Sequence, residues 1–290
     1  MSGLRIQAQH LRKEFRQSAN GALITAIEQL DFVIEPGEIV AVVGSTGCGK
    51  SSLFDVMIGL QAPTAGRLLI GDREPYRDFN GFRGLIATVF QQDRLMPWRS
   101  SLDNVCLPLE LIGLAPDEQH RRARGWLERL GLAAFTDAYP HELSGGMRQR
   151  VAIARAFVLQ PAILLADESF GHLDEVTAAE LRETFVALAR ECGSTAVLIT
   201  HQLEEAMSVG DRVLVFSKPA TVLADIRVAD WPAERRGELR EAIQLTLQSN
   251  QCDERIARLA VQQPADAVME QLGARDKHEQ SDQAIKANGR

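Results

Sequence analysis

The most constraining feature of this sequence is a glycine-rich loop, GSTGCGKS at 44–51, that directly follows the apolar run IVAVVG at 39–44. A short apolar run that ends in glycine is typical of a buried parallel strand, and the pattern from Lys50 onward predicts a helix that ends near Gly59. In this strand–loop–helix context, G-x-x-x-x-G-K-[ST] predicts a phosphate-binding P-loop. Its glycines let backbone N–H groups point at phosphate oxygens, and the helix N-terminus adds a favourable dipole.

Further side chains suit phosphate chemistry. Lys50 can reach the β- and γ-phosphates of a nucleotide, and the Ser51 hydroxyl can ligate Mg²⁺. In ILLADE at 163–168, an apolar strand ends in Asp167, which suits the shell of a metal ion, and Glu168 is placed to act as a general base for water. His201 follows the strand TAVLIT, at a sheet edge where ligands bind, although a lone histidine there is more often a packed or capping residue.

A second candidate anion site is LSGGMRQRVAIARA at 143–156. Ser144 can cap a helix, and Gly145 and Gly146 allow a close backbone approach. Apolar residues at helical spacing behind them predict a buried helix face. Local physics leaves two interpretations equally open, a well-capped helix without a ligand and a phosphate-binding helix N-terminus.

Strands that alternate with helices predict an α/β fold with a parallel-rich sheet covered on both faces. Residues 4–43 form a β-rich N-terminal part, and a mostly helical block at about 92–160 interrupts the alternation as an inserted subdomain. The predicted strands are 39–44, 67–72, 86–90, 162–167, 195–200 and 212–216, and the predicted helices are 50–59, 101–135, 144–159, 175–191 and 233–248. The polar stretch 274–290 is predicted to be disordered.

Composition excludes some classes of protein. The 290 residues carry a formal net charge of −7, so no general electrostatic attraction to nucleic acid is expected. The four cysteines, Cys48, Cys106, Cys192 and Cys252, lack metal-site spacing and are interpreted as reduced thiols. We expect no signal peptide, because the N-terminus lacks an apolar region, and no stretch approaches the roughly 18 apolar residues of a membrane helix.

Six motifs in one order resemble the ATP-binding cassette (ABC) transporter family over roughly residues 4–235. They are GSTGCGKSS (Walker A), VFQQ around Gln91 (Q-loop), LSGGMRQR (signature), ILLADE (Walker B), GHLD ending at Asp174 (D-loop) and His201 (switch histidine). Phe15 falls where the family places an aromatic side chain that stacks on adenine. The resemblance implies a P-loop NTPase core with an inserted helical signature subdomain at about 92–160, followed by a C-terminal extension at 236–290.

The resemblance also implies roles for residues. Two cassettes would pair head to tail, so that the signature helix of one copy meets the ATP that Lys50 of the other copy binds. The implied Mg²⁺ ligands are Ser51, Gln91 and Asp167, and the implied catalytic residues are Glu168, His201, Gln91 and Lys50. The implied nucleotide-binding residues are Phe15, Gly44, Ser45, Thr46, Gly47, Cys48, Gly49, Lys50, Ser51, Ser52, Ser144, Gly145, Gly146 and Asp174.

Three positions depart from the family's usual pattern. Ser169 stands where proline often follows the catalytic glutamate, His172 replaces a small D-loop residue, and Ser45-Thr46 replaces the usual Pro-Ser. None removes a charged or metal-binding group, so an active ATPase is expected.

The segment LMPW at 95–98, the following DNV helix, Met147 and SKPATVLADIRV at 217–228 resemble the nitrate/sulfonate/taurine importer branch. That branch implies a peripheral subunit at the cytoplasmic face of the membrane. Its partners would be a transmembrane permease, a second copy of the chain and, indirectly, a solute-binding protein, and the solute stays open. The alternatives are a machine that extracts lipids or lipoproteins, a soluble ribosome- or DNA-acting ATPase, and a non-hydrolysing regulator, which Glu168 and His201 disfavour.

Overall fold

Nine strands form one mixed sheet in the computed structural model, which describes residues 3–17, 21–171 and 173–260. The strands are β1 (Ile6–Arg16), β2 (Leu23–Ile34), β3 (Ile39–Gly44), β4 (Ala65–Ile70), β5 (Ile86–Val89), β6 (Ile163–Asp167), β7 (Thr195–Thr200), β8 (Arg212–Phe216) and β9 (Ala220–Arg227). They lie in the order β4-β1-β2-β9-β8-β3-β7-β6-β5.

The sheet has a parallel half and a largely antiparallel half. Strands β8, β3, β7, β6 and β5 are parallel neighbours, so their carboxyl ends lie along one edge. Strands β1, β2 and β4 pair antiparallel, and β9 joins the halves by pairing antiparallel with β8 and parallel with β2. The predicted α/β fold with a β-rich N-terminal part is confirmed.

Eight α-helices accompany the sheet within the described ranges. They are α1 (Lys50–Met57), α2 (Ser101–Leu111), α3 (Pro116–Arg129), α4 (Gly145–Phe157), α5 (Glu175–Cys192), α6 (Leu203–Val209), α7 (Arg236–Ser249) and α8 (Glu254–Ala260). The predicted helix at 101–135 is divided into α2, α3 and a short 3₁₀ helix at Ala133–Phe135. Gly113, whose φ is 81°, and Pro116 at the first position of α3 explain that break.

Alternate residues of the central strands face opposite layers, as the two-residue period of a strand requires. In β7, Val197 and Ile199 contact the apolar cluster that contains α1, whereas Ala196 and Leu198 contact the cluster of the helical subdomain and α5. The sheet is thus covered on both faces, and its polar strand ends lie at one edge between the layers.

Strand β9 and helix α6 were not predicted. Three of the eight positions of β9 are buried and four are half-buried, because the strand lies at the junction of the two halves. Its sequence therefore lacks a continuous apolar run. Helix α6 has seven residues, which is too short for a clear helical period.

Helix α7 packs its apolar face on the sheet. Leu239, Ala242 and Ile243 are fully buried in a cluster with Val213 and Val215 of β8. The predicted domain division at residue 235 stays a prediction, as does the inserted subdomain at 92–160. His172 and the polar stretch 274–290 lie outside the described residues. No helix in the described ranges is long and apolar enough to cross a bilayer.

Candidate functional site

The loop between β3 and α1 has the backbone that phosphate binding needs. Gly47 and Gly49 have φ angles of 73° and 119°, values that a side chain would make costly. A Cβ atom on Gly49 would lie 2.3 Å from the carbonyl oxygen of Ala26 in β2. The loop therefore rests directly on β2, and the last glycine before α1 cannot be replaced without moving one of them.

The Lys50 side chain lies under its own loop. Lys50 is buried, and its Nζ donates to the carbonyl oxygens of Gly44 at 2.7 Å and Ser45 at 3.1 Å. In both contacts the ammonium group is held by a neutral carbonyl oxygen and not by a carboxylate. Phosphate oxygens can therefore replace the carbonyl oxygens as its acceptors. Ser45, Thr46, Gly47 and Ser51 are exposed around it, and Ser52 is half-buried.

The side chain of Cys48 contributes packing to this loop. It is fully buried, and its Sγ lies 2.6 Å from the position that a Cβ atom on Gly44 would occupy. Its backbone N–H donates to the carbonyl oxygen of Ser45 at 3.1 Å, which closes the turn of the loop. Gly44 and Cys48 therefore shape the loop. Because the Cys48 side chain is buried, Cys48 can contact a nucleotide only through its backbone.

Glu168 lies between two predicted catalytic side chains. One carboxylate oxygen accepts from Gln91 Nε2 at 3.4 Å, and the other lies 3.1 Å from His201 Nδ1. Gln91 follows β5, Glu168 follows β6 and His201 follows β7, and these three strands are adjacent in the sheet. The structure therefore brings together three residues that are far apart in the sequence.

The backbone of Glu168 directs its side chain toward this edge. Its φ of 45° is unusual for a residue other than glycine and ends the extended course of β6. Its N–H still donates to the carbonyl oxygen of Ile199 at 2.8 Å, which holds the residue on β7. Strained backbone at a strand end is common where a side chain must be aimed at a ligand.

Asp167, the last residue of β6, is the carboxylate that the sequence predicts as a metal ligand. Burial, followed by the neighbouring Glu168 carboxylate, raises the pKa of Asp167, whereas Lys50 and Arg94 lower it. A cation beside this carboxylate would relieve both unfavourable effects. Together with the Ser51 hydroxyl and the Gln91 amide, Asp167 makes an all-oxygen donor set, which fits Mg²⁺ that keeps several water ligands.

We expect Asp167→Asn to stabilise the nucleotide-free protein. The raised pKa means that the fold disfavours the ionised form, so the gain is present above the folded pKa and is lost as the pH falls toward the ordinary value of 3.8. The thermal midpoint should therefore rise at neutral pH, and the rise should be small because solvent screens a partly exposed charge. Thermal unfolding with Asp230→Asn, an exposed control, checks this, and a lower midpoint for Asp167→Asn would contradict it.

The signature residues begin α4 beside the start of α5. Ser144 caps α4 through its hydroxyl, which accepts from Met147 N at 3.2 Å. Asp174 caps α5 by accepting from Thr177 N at 3.0 Å, and hydrogen bonds from Thr177 lower the pKa of Asp174. A Cβ atom on Gly146 would lie 3.0 Å from the Thr177 methyl group. Two helix N-termini with small or acidic residues therefore lie side by side.

These signature residues are separate from the P-loop of the same chain. Within the described residues, the atoms within 4 Å of Cβ positions built on Gly145 and Gly146 belong to Leu173, Arg148 and Thr177. The structure thus brings Ser144, Gly145, Gly146 and Asp174 together with one another, but not with Lys50 through these contacts.

Phe15 lies in β1, half-buried, and pairs with Ile24 of β2. The Lys13 ammonium group lies 5.0 Å from the centre of its ring. Because β2 also carries Ala26, against which the P-loop packs, Phe15 is on the strand next to the one that supports the loop. Its role toward adenine stays a prediction.

Sequence reasoning missed the residues that connect these motifs. The buried Ser169 donates its hydroxyl to the carbonyl oxygen of Val89 at 2.8 Å, two residues before Gln91. Its own carbonyl accepts from the buried Gln149 of α4 at 2.8 Å. Ser169, the residue after Glu168, therefore connects the strand that precedes Gln91 with the helix α4. Gln149 could have been found in the sequence as a polar residue on the otherwise apolar face of the predicted helix.

Asp93 is another connecting residue that the sequence did not indicate. Its carboxylate accepts from Arg148 Nε at 3.0 Å, and its carbonyl accepts from Arg155 Nη2 at 2.6 Å. Both arginines belong to α4, so the signature helix holds the residue two positions after Gln91 by side chain and backbone. The sequence places these partners more than fifty residues apart, and no motif joins them.

Known proteins resemble this chain in sequence and structure. A family model described as ABC transporter matches residues 27–171. The taurine import ATP-binding protein TauB of Rhizobium johnstonii is 40% identical over 208 residues, 70% of this chain and 77% of that protein. The nitrate import ATP-binding protein NrtC of Synechococcus elongatus is 36% identical over 233 residues, 78% of this chain, which spans 34% of that relative's length.

A solved structure agrees with these matches. It is the dimeric post-hydrolysis state of the ATP-binding cassette MJ0796 bound to ADP and Pi, with a TM-score of 0.69 at 30% identity, covering 77% of this chain and 98% of that one. The family match covers half of the chain, and the structural match extends over 98% of the solved cassette. The chain therefore belongs to the ABC transporter family.

Proposed function

We propose that this chain hydrolyses ATP and couples that reaction to a transmembrane permease as the energy-coupling subunit of an importer. The observation that carries the proposal is the position of the Glu168 carboxylate, which contacts His201 and Gln91 at the strand edge that also bears the P-loop. The relatives named above act in nitrate and taurine import. They support a small anionic or zwitterionic solute of the nitrate, sulfonate or taurine kind.

The proposed mechanism assigns a step to each side chain. Lys50 leaves the carbonyl oxygens of Gly44 and Ser45 and binds the β- and γ-phosphates of ATP. Glu168 accepts a proton from the attacking water, and His201 orients both that water and the γ-phosphate. The Gln91 amide donates to the same carboxylate, so a change at Glu168 during the reaction can alter the position of the Q-loop.

Mg²⁺ fits this site through Ser51, Gln91 and Asp167. When bound, the ion neutralises charge on the β- and γ-phosphates and orients them for in-line attack. The described residues hold no cluster of three or more His, Cys, Asp or Glu side chains that could bind a metal by themselves. One carboxylate with neutral oxygen donors suits an ion that takes its remaining ligands from phosphates and water.

Two copies of the chain would form the working unit. The signature N-terminus at Ser144 is exposed and lies apart from the P-loop of its own chain, so it is free to receive the γ-phosphate bound by a second copy. A helix N-terminus with exposed N–H groups favours such a charge. Phe15 would stack on adenine, and Asp174 would connect the two sites across the dimer.

An exposed apolar surface between α1 and α2 suits the permease. Gly59 at the end of α1 packs against Phe79, and Gly84 packs against Ile112 at the end of α2, so residues 79–84 connect the two sides. The large exposed apolar side chains of this part of the chain are Leu60, Tyr76, Phe79, Trp98, Leu111 and Ile112, and we propose that they contact the permease.

The loop that carries Trp98 is held in place from α2. The buried Asn104 accepts from Met96 N at 2.7 Å and donates to the carbonyl oxygens of Arg99 at 3.1 Å and Ser100 at 3.0 Å. Leu95 of the same segment is buried in the core, whereas the Trp98 side chain is 72% exposed. The segment that resembles the importer branch therefore presents one large apolar side chain, which suits a short apolar helix of a permease at the cytoplasmic face of the membrane.

We expect Trp98→Glu to separate the chain from its permease. A charge at the centre of an apolar contact should lower recovery of the membrane partner by at least about tenfold. The measurement is a mild-detergent pull-down of the tagged chain from its native membranes, with mass spectrometry of the recovered proteins. Leu245→Glu, on the exposed side of α7, is the control.

The same pull-down tests the transport function itself. Recovery of a multi-spanning permease with a solute-binding protein would support the importer, and that binding protein would then identify the solute. Ribosomal or DNA-associated partners without a membrane protein would contradict transport while leaving the ATPase chemistry intact. Equal recovery with Trp98→Glu and the wild-type chain would place the permease contact elsewhere.

A further inference from the structure

The turn between β8 and β9 lies against the Walker A loop. Ser217, which is buried, fixes the turn by donating its N–H to the carbonyl oxygen of Thr221 at 3.1 Å and accepting from Thr221 N at 2.8 Å. Ala220, the first residue of β9, has its Cβ 3.0 Å from the position that a Cβ atom on Gly49 would occupy. The turn is therefore ordered by its own hydrogen bonds and in contact with the loop.

Lys218, within this turn, reaches the tip of the loop. Its Nζ donates to the carbonyl oxygen of Thr46 at 3.2 Å and lies 3.4 Å from a Cβ position built on Gly47. Since Lys50 holds the carbonyl oxygens of Gly44 and Ser45, ammonium groups bind three successive carbonyls of the loop. Carbonyl oxygens that face cations keep their negative ends away from an incoming phosphate, and the loop's N–H groups remain available to it.

Nucleotide binding changes the hydrogen-bond partners of Lys50 but does not require a change in those of Lys218. Lys50 has to exchange its carbonyl partners for phosphate oxygens, so Gly44 and Ser45 lose their cation at that moment. Lys218 belongs to a different element, and its contact with Thr46 does not have to break. It can therefore hold the loop in one conformation before and after nucleotide binding, and its positive charge also favours phosphate nearby.

The C-terminal helix controls the position of Lys218. Asn250, which ends α7 in the left-handed conformation at a φ of 55°, accepts from Lys218 N at 2.9 Å and donates to the Lys218 carbonyl oxygen at 3.4 Å. One side chain thus binds both polar backbone groups of Lys218. Helix α7 is itself anchored on β8 by the fully buried Leu239 and Ile243.

We propose that Lys218 is a positioning residue of the Walker A loop and that Asn250 places it under the control of α7. The affinity of the loop for a nucleotide then depends on the position of α7 relative to the sheet. The C-terminal helix can thereby regulate the ATP site. The proposal rests on the proposed function, in that the loop must bind ATP.

Lys218→Met tests the first step in the full-length chain. Loss of one charge-assisted hydrogen bond at an exposed position should raise the dissociation constants for ATP and ADP by about three- to tenfold. The two nucleotides should be affected equally, because Lys218 acts on the loop and not on the γ-phosphate. KM for ATP should rise by the same factor while kcat changes by less than about twofold, and Lys218→Arg should restore most of the affinity.

Asn250→Gly tests the second step. Glycine keeps the left-handed backbone at the end of α7 and removes both hydrogen bonds to Lys218. We expect the same change in affinity for ATP and ADP as with Lys218→Met, and no further loss in the double variant. The control is Arg240→Ala, which removes an exposed ion pair between α7 and Glu204 of α6 but leaves Asn250 and the buried face of α7 intact. It should leave both dissociation constants unchanged.

The outcomes separate this inference from the proposed function. A wild-type chain that binds no ATP would contradict the proposed function. A wild-type chain that binds ATP, with unchanged affinity in Lys218→Met, would overturn the role of Lys218, as would a loss confined to ATP or to kcat. Normal affinity in Asn250→Gly would overturn the connection to α7. Thermal unfolding and the Lys218→Arg variant show whether a loss of affinity reflects a damaged fold.

Discussion

Replacement of Glu168 by glutamine is expected to abolish ATP hydrolysis and to leave ATP bound. The carboxylate stands at the end of β6 in contact with His201 at 3.1 Å and with Gln91 at 3.4 Å, which is the position of a base for the attacking water. Glutamine has the same size but cannot accept the proton of that water. A positioned general base contributes roughly 100- to 10,000-fold, so kcat should fall by a factor in this range.

The measurement is phosphate release at saturating ATP, together with the dissociation constant for ATP. Because Lys50 and the loop amides are unchanged in Glu168→Gln, the affinity for ATP should not weaken. Glu183→Gln, an exposed carboxylate on α5, is the matched control and should hydrolyse ATP at the normal rate. A normal rate in Glu168→Gln would mean that another group activates the water.

The parallel core was predictable because each of its strands is a short apolar run bounded by turn or motif residues. The structure ends β3 at Gly44 and β7 at Thr200, the residues at which the apolar runs end. Strand β9 could not be predicted in this way, because it lies between β2 and β8 and only three of its eight positions are buried. Its place in the sheet also depends on β2, which is distant in the sequence.

The same distinction holds for the candidate site: some of its residues could be predicted from the sequence and others could not. Residues at strand ends, such as Asp167 and Glu168, could be predicted since parallel strands place their carboxyl ends at one edge. The hydrogen bond of Ser169 to Val89 and that of Lys218 to Thr46 could not. The two partners of each bond belong to different motifs of the sequence, and only the folded chain shows which carbonyl oxygen each side chain contacts.

The departure at Ser169 is explained by these contacts. A proline at this position has no hydroxyl, whereas Ser169 donates to Val89 and has a fully packed environment between β5 and α4. The serine therefore fixes the segment after Glu168 with a hydrogen bond where proline would fix it with a ring. The segment that follows Glu168 is thus fixed although the usual proline is absent, which is consistent with an active ATPase.

The largest effect on assembly is expected from a single charge at Ser144. Ser144→Asp and Ser144→Asn differ by one charge and are equally good caps for α4, so both should preserve the helix that the serine hydroxyl now caps through Met147 N at 3.2 Å. In the proposed head-to-tail dimer, this position faces the γ-phosphate bound by the other copy. A carboxylate about 4 Å from a phosphate charge costs about 4 kcal/mol at an effective dielectric constant of about 20, and twofold symmetry repeats the cost at the second site.

Each substitution is combined with Glu168→Gln, so that ATP persists long enough for the dimer to be observed. With ATP, the Ser144→Asn variant should sediment as a dimer and the Ser144→Asp variant as a monomer. At protein concentrations low enough to keep both variants monomeric, they should bind ATP with equal affinity, because Gly145 and Gly146 beside the substituted residue pack against Leu173 and Thr177 rather than against the P-loop of their own chain. Equal thermal midpoints would confirm that the caps are equivalent. If the aspartate variant dimerises as well as the asparagine variant, the signature helix does not receive the γ-phosphate and the two anion-binding helix N-termini of this chain serve separate purposes.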